Sequence, residues 1–170
     1  MKSLALRTAT FTALAALAPL ASADTATITI SGRVLPGTCT LSAAPIALDP
    51  VKASDLTPGE DTGIKAGALE FSGCVGVSKA VLSFAGTAAD GDAERWKNTA
   101  ASDPASGVSI ALLAGTTGNT YLKDGDTGIE VPVTGASARY DLRAAYFAPV
   151  GQARVAGEVS TEIVVTADYQ

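Results

Sequence analysis

The chain has 170 residues, with seventeen acidic and twelve basic side chains and no histidine. A net charge of −5 argues against nucleic acid or an anionic lipid surface as a partner, because both bind through excess Lys and Arg. Without histidine the commonest general base and metal ligand is missing, and no GxSxG, SxxK or HExxH pattern offers catalysis in its place. No enzyme activity, cofactor, metal or small-molecule substrate is therefore expected.

Residues 1–23 read as an export signal. Lys2 and Arg7 make a positive start, Ala9 to Leu20 a short apolar run, and Ala21-Ser22-Ala23 a small-residue cleavage site. The run is too short and too rich in alanine to anchor in a bilayer, and no later stretch approaches membrane length. Cleavage after Ala23 removes two of the twelve basic residues and none of the acidic ones, so the exported chain is more acidic still.

The rest reads as one all-β domain. Short alternating runs are separated by Gly, Pro, Asp, Asn and Thr clusters, the pattern of a sandwich or barrel. The abundant alanine favours helix by propensity, but period two decides which face is buried. In chain order, strands are predicted over Thr25 to Val34, Thr38 to Leu48 with a break at Pro45, Gly67 to Val75 and Lys79 to Ala85. Further strands are predicted over Val108 to Leu113, Ile129 to Val133, Ala138 to Phe147 and Gly157 to Gln170. Asp49 to Gly63 and Thr87 to Gly107 are expected to be loops. Within the second, Asp90, Asp92 and Glu94 lack the order of a calcium loop and read as a solvated turn. Trp96, between Arg95 and Lys97, could plug an end of the core or mark a contact between subunits. Asp124-Gly125-Asp126 is a turn signal.

Cys39 and Cys74 both follow the export signal, and in an oxidising compartment an isolated pair reads as a disulfide. Two thiolates alone cannot fill a zinc shell. Closing the loop between them stabilises the fold by roughly 4 kcal/mol on the chain-entropy account.

The two terminal segments alternate most clearly. Toward the C terminus Val159, Thr161, Ile163, Val165, Ala167 and Tyr169 share one face. Glu158, Ser160, Glu162, Thr166 and Asp168 share the other, with Val164 the apolar exception. Toward the N terminus Ala26, Ile28, Ile30, Gly32 and Val34 alternate with Thr25, Thr27, Thr29, Ser31 and Arg33. No proline or charge guards Thr25 to Ser31 against edge pairing. Either this is an ordinary first strand or pairing with another molecule is its purpose.

These features together resemble the pilins of the chaperone–usher pathway, especially the type 1 fimbrial subunits. The resemblance rests on Thr27-Ile28-Thr29-Ile30-Ser31-Gly32-Arg33-Val34 followed by Pro36 and Cys39, on Phe71 to Cys74, on Leu82-Ser83-Phe84-Ala85-Gly86, and on Gly107 to Leu112. At the C terminus, Gly157 and Tyr169 stand where the family has a glycine fourteenth from the end and a penultimate tyrosine.

The resemblance implies an incomplete immunoglobulin-like β-sandwich that lacks its last strand. Residues 24–37 would be a donor-strand extension ahead of a pilin domain at 38–170. The implied donor residues are Ala26, Ile28, Ile30, Gly32 and Val34. The implied groove and C-terminal strand hold Gly157, Val159, Ile163, Val165, Ala167 and Tyr169. A periplasmic chaperone would fill the groove first, and the extension of the next subunit would replace it at an outer-membrane usher. This is β-strand addition, of which donor-strand complementation of pilins is a known instance. Burying Ile28, Ile30 and Val34 at roughly 1.5–3 kcal/mol each gives on the order of 5–10 kcal/mol gross, less the cost of ordering the arm. Gly32 fits either a shallow point of the groove or a bulge. Tyr169 fits either the groove or the end of the core.

The expected role is a structural subunit of a bacterial fimbria, reaching the surface through the periplasm and contributing to adhesion and biofilm formation. Its expected partners are other pilin subunits, a chaperone and an usher. The alternative is a minor tip-proximal adaptor or adhesin subunit with its own receptor surface.

Overall fold

The computed structural model describes residues 26–170; the export signal lies outside the described residues. The chain divides into two units, Met1–Arg33 and Val34–Gln170. Residues 26–33 of the first carry no regular structure and are exposed. The second holds nine strands: β1 (Thr38–Ala43), β2 (Asp61–Val75), β3 (Lys79–Ala85), β4 (Ala88–Ala89), β5 (Asp92–Trp96), β6 (Ser109–Ala114), β7 (Ile129–Pro132), β8 (Ser137–Phe147) and β9 (Val164–Tyr169). One short 3-10 turn, Ala53–Asp55, precedes β2.

Six strands form one sheet in the order β1-β2-β8-β6-β5-β4, and three form the other in the order β7-β3-β9. Every ladder between named strands is antiparallel, so alternation sends one face of each strand inward. Leu69, Phe71, Leu82, Phe84, Trp96, Ile110, Leu112 and Leu142 meet there in a single core. Cys39 and Cys74 are joined, tying β1 to the end of β2.

Besides β1 ending at Ala43 rather than Leu48 and β9 beginning at Val164 rather than Gly157, three expectations change. β2 begins at Asp61 rather than Gly67. Its first residues are polar and glycine-rich, but they pair with Tyr146 and Phe147 across a register shift between Thr62 and Lys65. Burial of the opposite strand's aromatics outweighs their weak strand propensity. Second, the expected loop Thr87 to Gly107 contains β4 and β5. Third, residues 26–34 form no strand, because an extended segment has no hydrogen bonds of its own and becomes a strand only when paired.

Trp96 is fully buried, and its Nε1–H donates to the Leu122 carbonyl at 2.8 Å. It plugs the core. Its neighbour Arg95 is buried on the outer face of the six-stranded sheet, with its guanidinium carbon 3.6 Å from the Tyr121 ring centre and 4.1 Å from that of Phe147. The Tyr121 hydroxyl donates to Asp61 at 2.8 Å. Stacking lets a cation sit where its charge would otherwise be costly to desolvate. The expected acidic turn holds only at Asp90, which pairs with Lys97 at 2.9 Å; Asp92 and Glu94 fall in β5, where Asp92 accepts from the Glu94 amide.

Replacing both cysteines by serine is expected to lower unfolding free energy by roughly 4 kcal/mol. Denaturant midpoints of the double variant, and of the unaltered chain with and without reductant, check it.

Candidate functional site

β9 is an edge strand. Among the described residues it pairs with β3 alone, from Ala80↔Tyr169 to Ala85↔Val164, and none of them pairs with its other side. The segment before it, from Glu158, carries on the same alternation of burial. Along this whole stretch Val159, Thr161, Ile163, Val165, Ala167 and Tyr169 are half-buried, while the residues between them are exposed.

The backbone alternates as the side chains do. Even-numbered residues bond toward β3 and, beyond its end, toward the segment that follows β5. Gln170 exchanges hydrogen bonds with Lys79 at 2.9 and 3.1 Å, Ser160 accepts from the Thr99 amide at 2.7 Å, and Glu158 donates to Asp103 at 2.7 Å and accepts from Ala105 at 2.9 Å. In an extended chain the N–H and C=O groups of the next residues face the other way. Among the described residues no hydrogen bond engages the backbone of Val159, Thr161 or Ile163. The residues whose side chains point inward therefore present unpaired backbone groups on their open flank.

Beside that flank runs a groove of about 840 Å³. Its far wall is Ala43 to Leu48, where the chain leaves β1, and its near wall is Val159 to Val165. The floor is the side of the core that faces the groove, with Leu69, Phe84, Ile110, Leu112, Leu142 and Ala144, all of them largely buried. A smaller cavity of about 320 Å³ continues past Val159, lined by Leu48, Val51, Leu56, Tyr146 and Val155 among others. Burial raises the Tyr146 phenol above its ordinary range, with nearby Asp49 and Glu158 adding to the shift, so this phenol stays uncharged. Thr161 Oγ1 is a buried polar atom without a partner.

Asn98 holds the near wall. β3 ends at Ala85, so β9's ladder runs out before Glu158 to Ser160 is reached. The Asn98 carboxamide takes over there. Its Nδ2 donates to the Ala105 and Glu158 carbonyls at 3.0 and 2.9 Å, and its Oδ1 accepts from the Ala100 and Ser160 amides at 3.1 and 3.0 Å. All four hydrogen-bonding positions of the amide are used.

The sequence model of the family described as "Fimbrial protein" matches residues 28–170. The chain belongs to that family. Its fold is that of solved pilus subunits. The P pilus rod subunit PapA superposes with a TM-score of 0.60 at 18% identity, covering 78% of this chain and 99% of PapA. An antigen and type I fimbria protein of Burkholderia pseudomallei gives 0.59 at 21% identity, covering 78% of this chain and 100% of the other. A tip adhesin of Pseudomonas aeruginosa gives 0.63 at 18% identity; the match covers 78% of this chain but only 38% of the adhesin. A search of curated sequences finds no significant match.

In this fimbrial subunit the C-terminal residues expected to act together do lie together. Val159, Ile163 and Val165 line the groove, while Ala167 and Tyr169 continue the same face into the core. Gly157 stands apart from the groove wall itself. A Cβ on it would lie 2.4 Å from the Asp103 carbonyl oxygen and 2.6 Å from the Ala105 nitrogen, so its role is to let two backbones touch. The donor residues Ala26, Ile28, Ile30, Gly32 and Val34 lie in no strand; Ile28 is 84% exposed, Ile30 91% and Val34 96%. The far wall at Ala43 to Leu48, the amide of Asn98 and the stacked Arg95 were not anticipated. Polarity hid them, since Asn98 and Arg95 carry no apolar alternation and alanines mark no face.

Gly157→Ala is expected to destabilise the domain by about 1–3 kcal/mol, because both obstructing atoms are backbone and cannot rotate away. Thermal and denaturant unfolding of purified domain check this, with Ala156→Gly as the neighbouring control.

Proposed function

We propose that this fimbrial subunit polymerises by strand exchange, with residues 24–37 of one copy completing the groove of another. One observation carries the reading: Val159, Thr161 and Ile163 offer side chains to an apolar groove and unpaired backbone groups to the same side. An extended chain with apolar residues at every second position answers both demands. Residues 26–34 have that pattern, and the described part of their apolar face is exposed to water.

The direction follows from where the chain leaves the domain. The arm enters at Gly37, whose amide donates to Gly76, at the end of the sandwich where Gln170 also lies. An arm laid antiparallel to the C-terminal strand brings its root to the opposite end of the acceptor, near Val159. A parallel arm would bring its root to the end from which the acceptor's own arm departs. Each subunit would then have to abut both neighbours with one end. Antiparallel insertion leaves that end free and gives a heterologous contact that repeats into an open fibre.

In this account a periplasmic chaperone covers the groove until an outer-membrane usher brings in the next subunit. The assembled fibre, rather than a pocket on the subunit, mediates attachment and biofilm formation at the cell surface. A repeated rod component and a minor subunit near the tip would use the same exchange. Electron microscopy of cells with and without the gene separates them, since only the first takes the whole rod with it.

Removing residues 24–37 is expected to abolish fibres while chaperone binding survives, measured by electron microscopy and by co-purification. Ile28→Asp and Ile30→Asp should each reduce assembly sharply, because a carboxylate has no partner in the groove. Fibres of ordinary yield from the shortened chain would refute the proposal.

A further inference from the structure

We propose that the end of the sandwich bearing Val51, Val150 and Val155 is a docking surface for a second copy of this chain, which meets it with the surface around Leu35 and Val75. The proposal rests on the strand-exchange reading above and adds a contact outside the groove.

The 15 residues of β2 run from one end of the sandwich to the other, roughly 45 Å at the rise of an extended strand. At one end Thr38 pairs with Val75, and Gly37 is bonded to Gly76. At the other Asp61 pairs with Phe147, and the chain beyond β8 is tied back where Gly59 donates to Ala148. Both ends carry apolar side chains that the fold does not use. At the first, Leu35 is 69% and Val75 73% exposed; at the second, Val150 is 77% and Val155 57% exposed. Val51 and Val155 line the smaller cavity continuing the groove past Val159, and Val150 stands beside Gly59.

Tether length brings the two ends together. Only Leu35, Pro36 and Gly37 separate Val34 from the start of β1 at Thr38. Four residue steps reach at most about 14 Å even when fully extended. With Val34 seated near Val159, the donor's domain must stand directly against the acceptor's far end. The root itself is held in place. A Cβ at Gly37 would fall 1.4 Å from the Val75 carbonyl oxygen, so the backbone there lies flat against Val75. Leu35 follows Val34 without a gap and precedes a proline, which keeps it extended. Leu35 and Val75 therefore arrive together at an end that offers Val51, Val150 and Val155. Pairing these patches removes from water the apolar groups that each end exposes alone.

The test is made on a chain beginning at Asp24 and carrying Val51→Thr, Val150→Thr and Val155→Thr, which keep side-chain shape and add a hydroxyl. Two donors are offered to it: a peptide of residues 24–34, which stops short of Leu35, and a whole second copy whose own groove is capped by the same peptide fused after Gln170. Dissociation is followed by competition with labelled donor. The whole-copy complex is expected to dissociate about tenfold faster or more than with unaltered acceptor, whereas the peptide complex changes less than about twofold. Val75→Thr in the whole-copy donor should reproduce the loss from the other side. Equal acceleration for both donors would place the effect in the groove and overturn the proposal, as would no acceleration with the whole copy. A peptide that failed to bind the unaltered acceptor would overturn strand exchange itself, and this surface with it.

Discussion

The structure turns on the period-two geometry of its last twelve residues. In an extended chain, side-chain direction and backbone direction alternate together. A strand whose odd residues face the core must therefore send the N–H and C=O groups of those same residues to one edge. Here that edge borders the groove. Leaving it empty keeps the half-buried side chains of Val159, Ile163 and Val165 partly in water and leaves a row of backbone groups without protein partners. A compact ligand could cover the floor but not bond the edge in register. Another strand does both. The selectivity for an extended partner is thus a property of chain geometry before any particular side chain is considered.

The remainder of the sandwich holds that edge in place. β3 secures the C-terminal half through a regular ladder, Phe84↔Val165 among its pairs. Beyond the end of β3 the strand would be free on both sides, and a wall free on both sides could collapse across the groove. The segment from Asn98 to Ser106 prevents this. Asp103, Ala105 and the Asn98 amide bond Glu158 and Ser160 on the inner side only. Gly157 permits the approach, since a methyl group there would meet backbone atoms. The amide replaces a ladder without occupying the outer flank, which keeps the groove both rigid and open.

Much of this was legible in the sequence because period two survives averaging over short windows. The alternation from Glu158 to Tyr169 predicted the burial of each residue, including Val164 as an exposed apolar exception, which is 56% exposed. The cysteine pairing followed from export and composition, and β3 was placed at its observed limits. The stretch from Thr87 to Gly107 failed for an identifiable reason. Asp92 to Trp96 hides its inward residue, Trp96, behind Arg95, a cation that is itself buried through stacking on Tyr121 and Phe147. Charge normally marks an exposed face, and here it marks a second buried cluster. The far wall was invisible for a different reason. Ala43 to Leu48 matters by where it leaves the sheet, and a run of small apolar residues around one proline carries no record of that position.

The sheet edges differ in a way that fits one being meant for pairing. β4 has two residues, too few to template a strand, and β7 has four and ends at Pro132, which cannot donate to a ladder. Glu130 on β7 is ion-paired with Lys79, placing charge along that edge. β1 is interrupted by a register shift between Thr38 and Thr40 and is followed by Pro45. These are the usual means of blunting edges against adventitious pairing. The C-terminal edge has no proline and no register shift, and shares with β7 only outward-facing charge. From Val159 to Tyr169 no proline interrupts it, and none of its inward positions is charged; Glu158, Glu162 and Asp168 all fall on the exposed face. Charges placed there keep the outer surface in water without opposing an incoming strand at the groove. β1 and β9 are edge strands of equal length, yet only β1 carries a register shift and a following proline, so the distribution of guards favours a partner at β9 independently of the groove beside it.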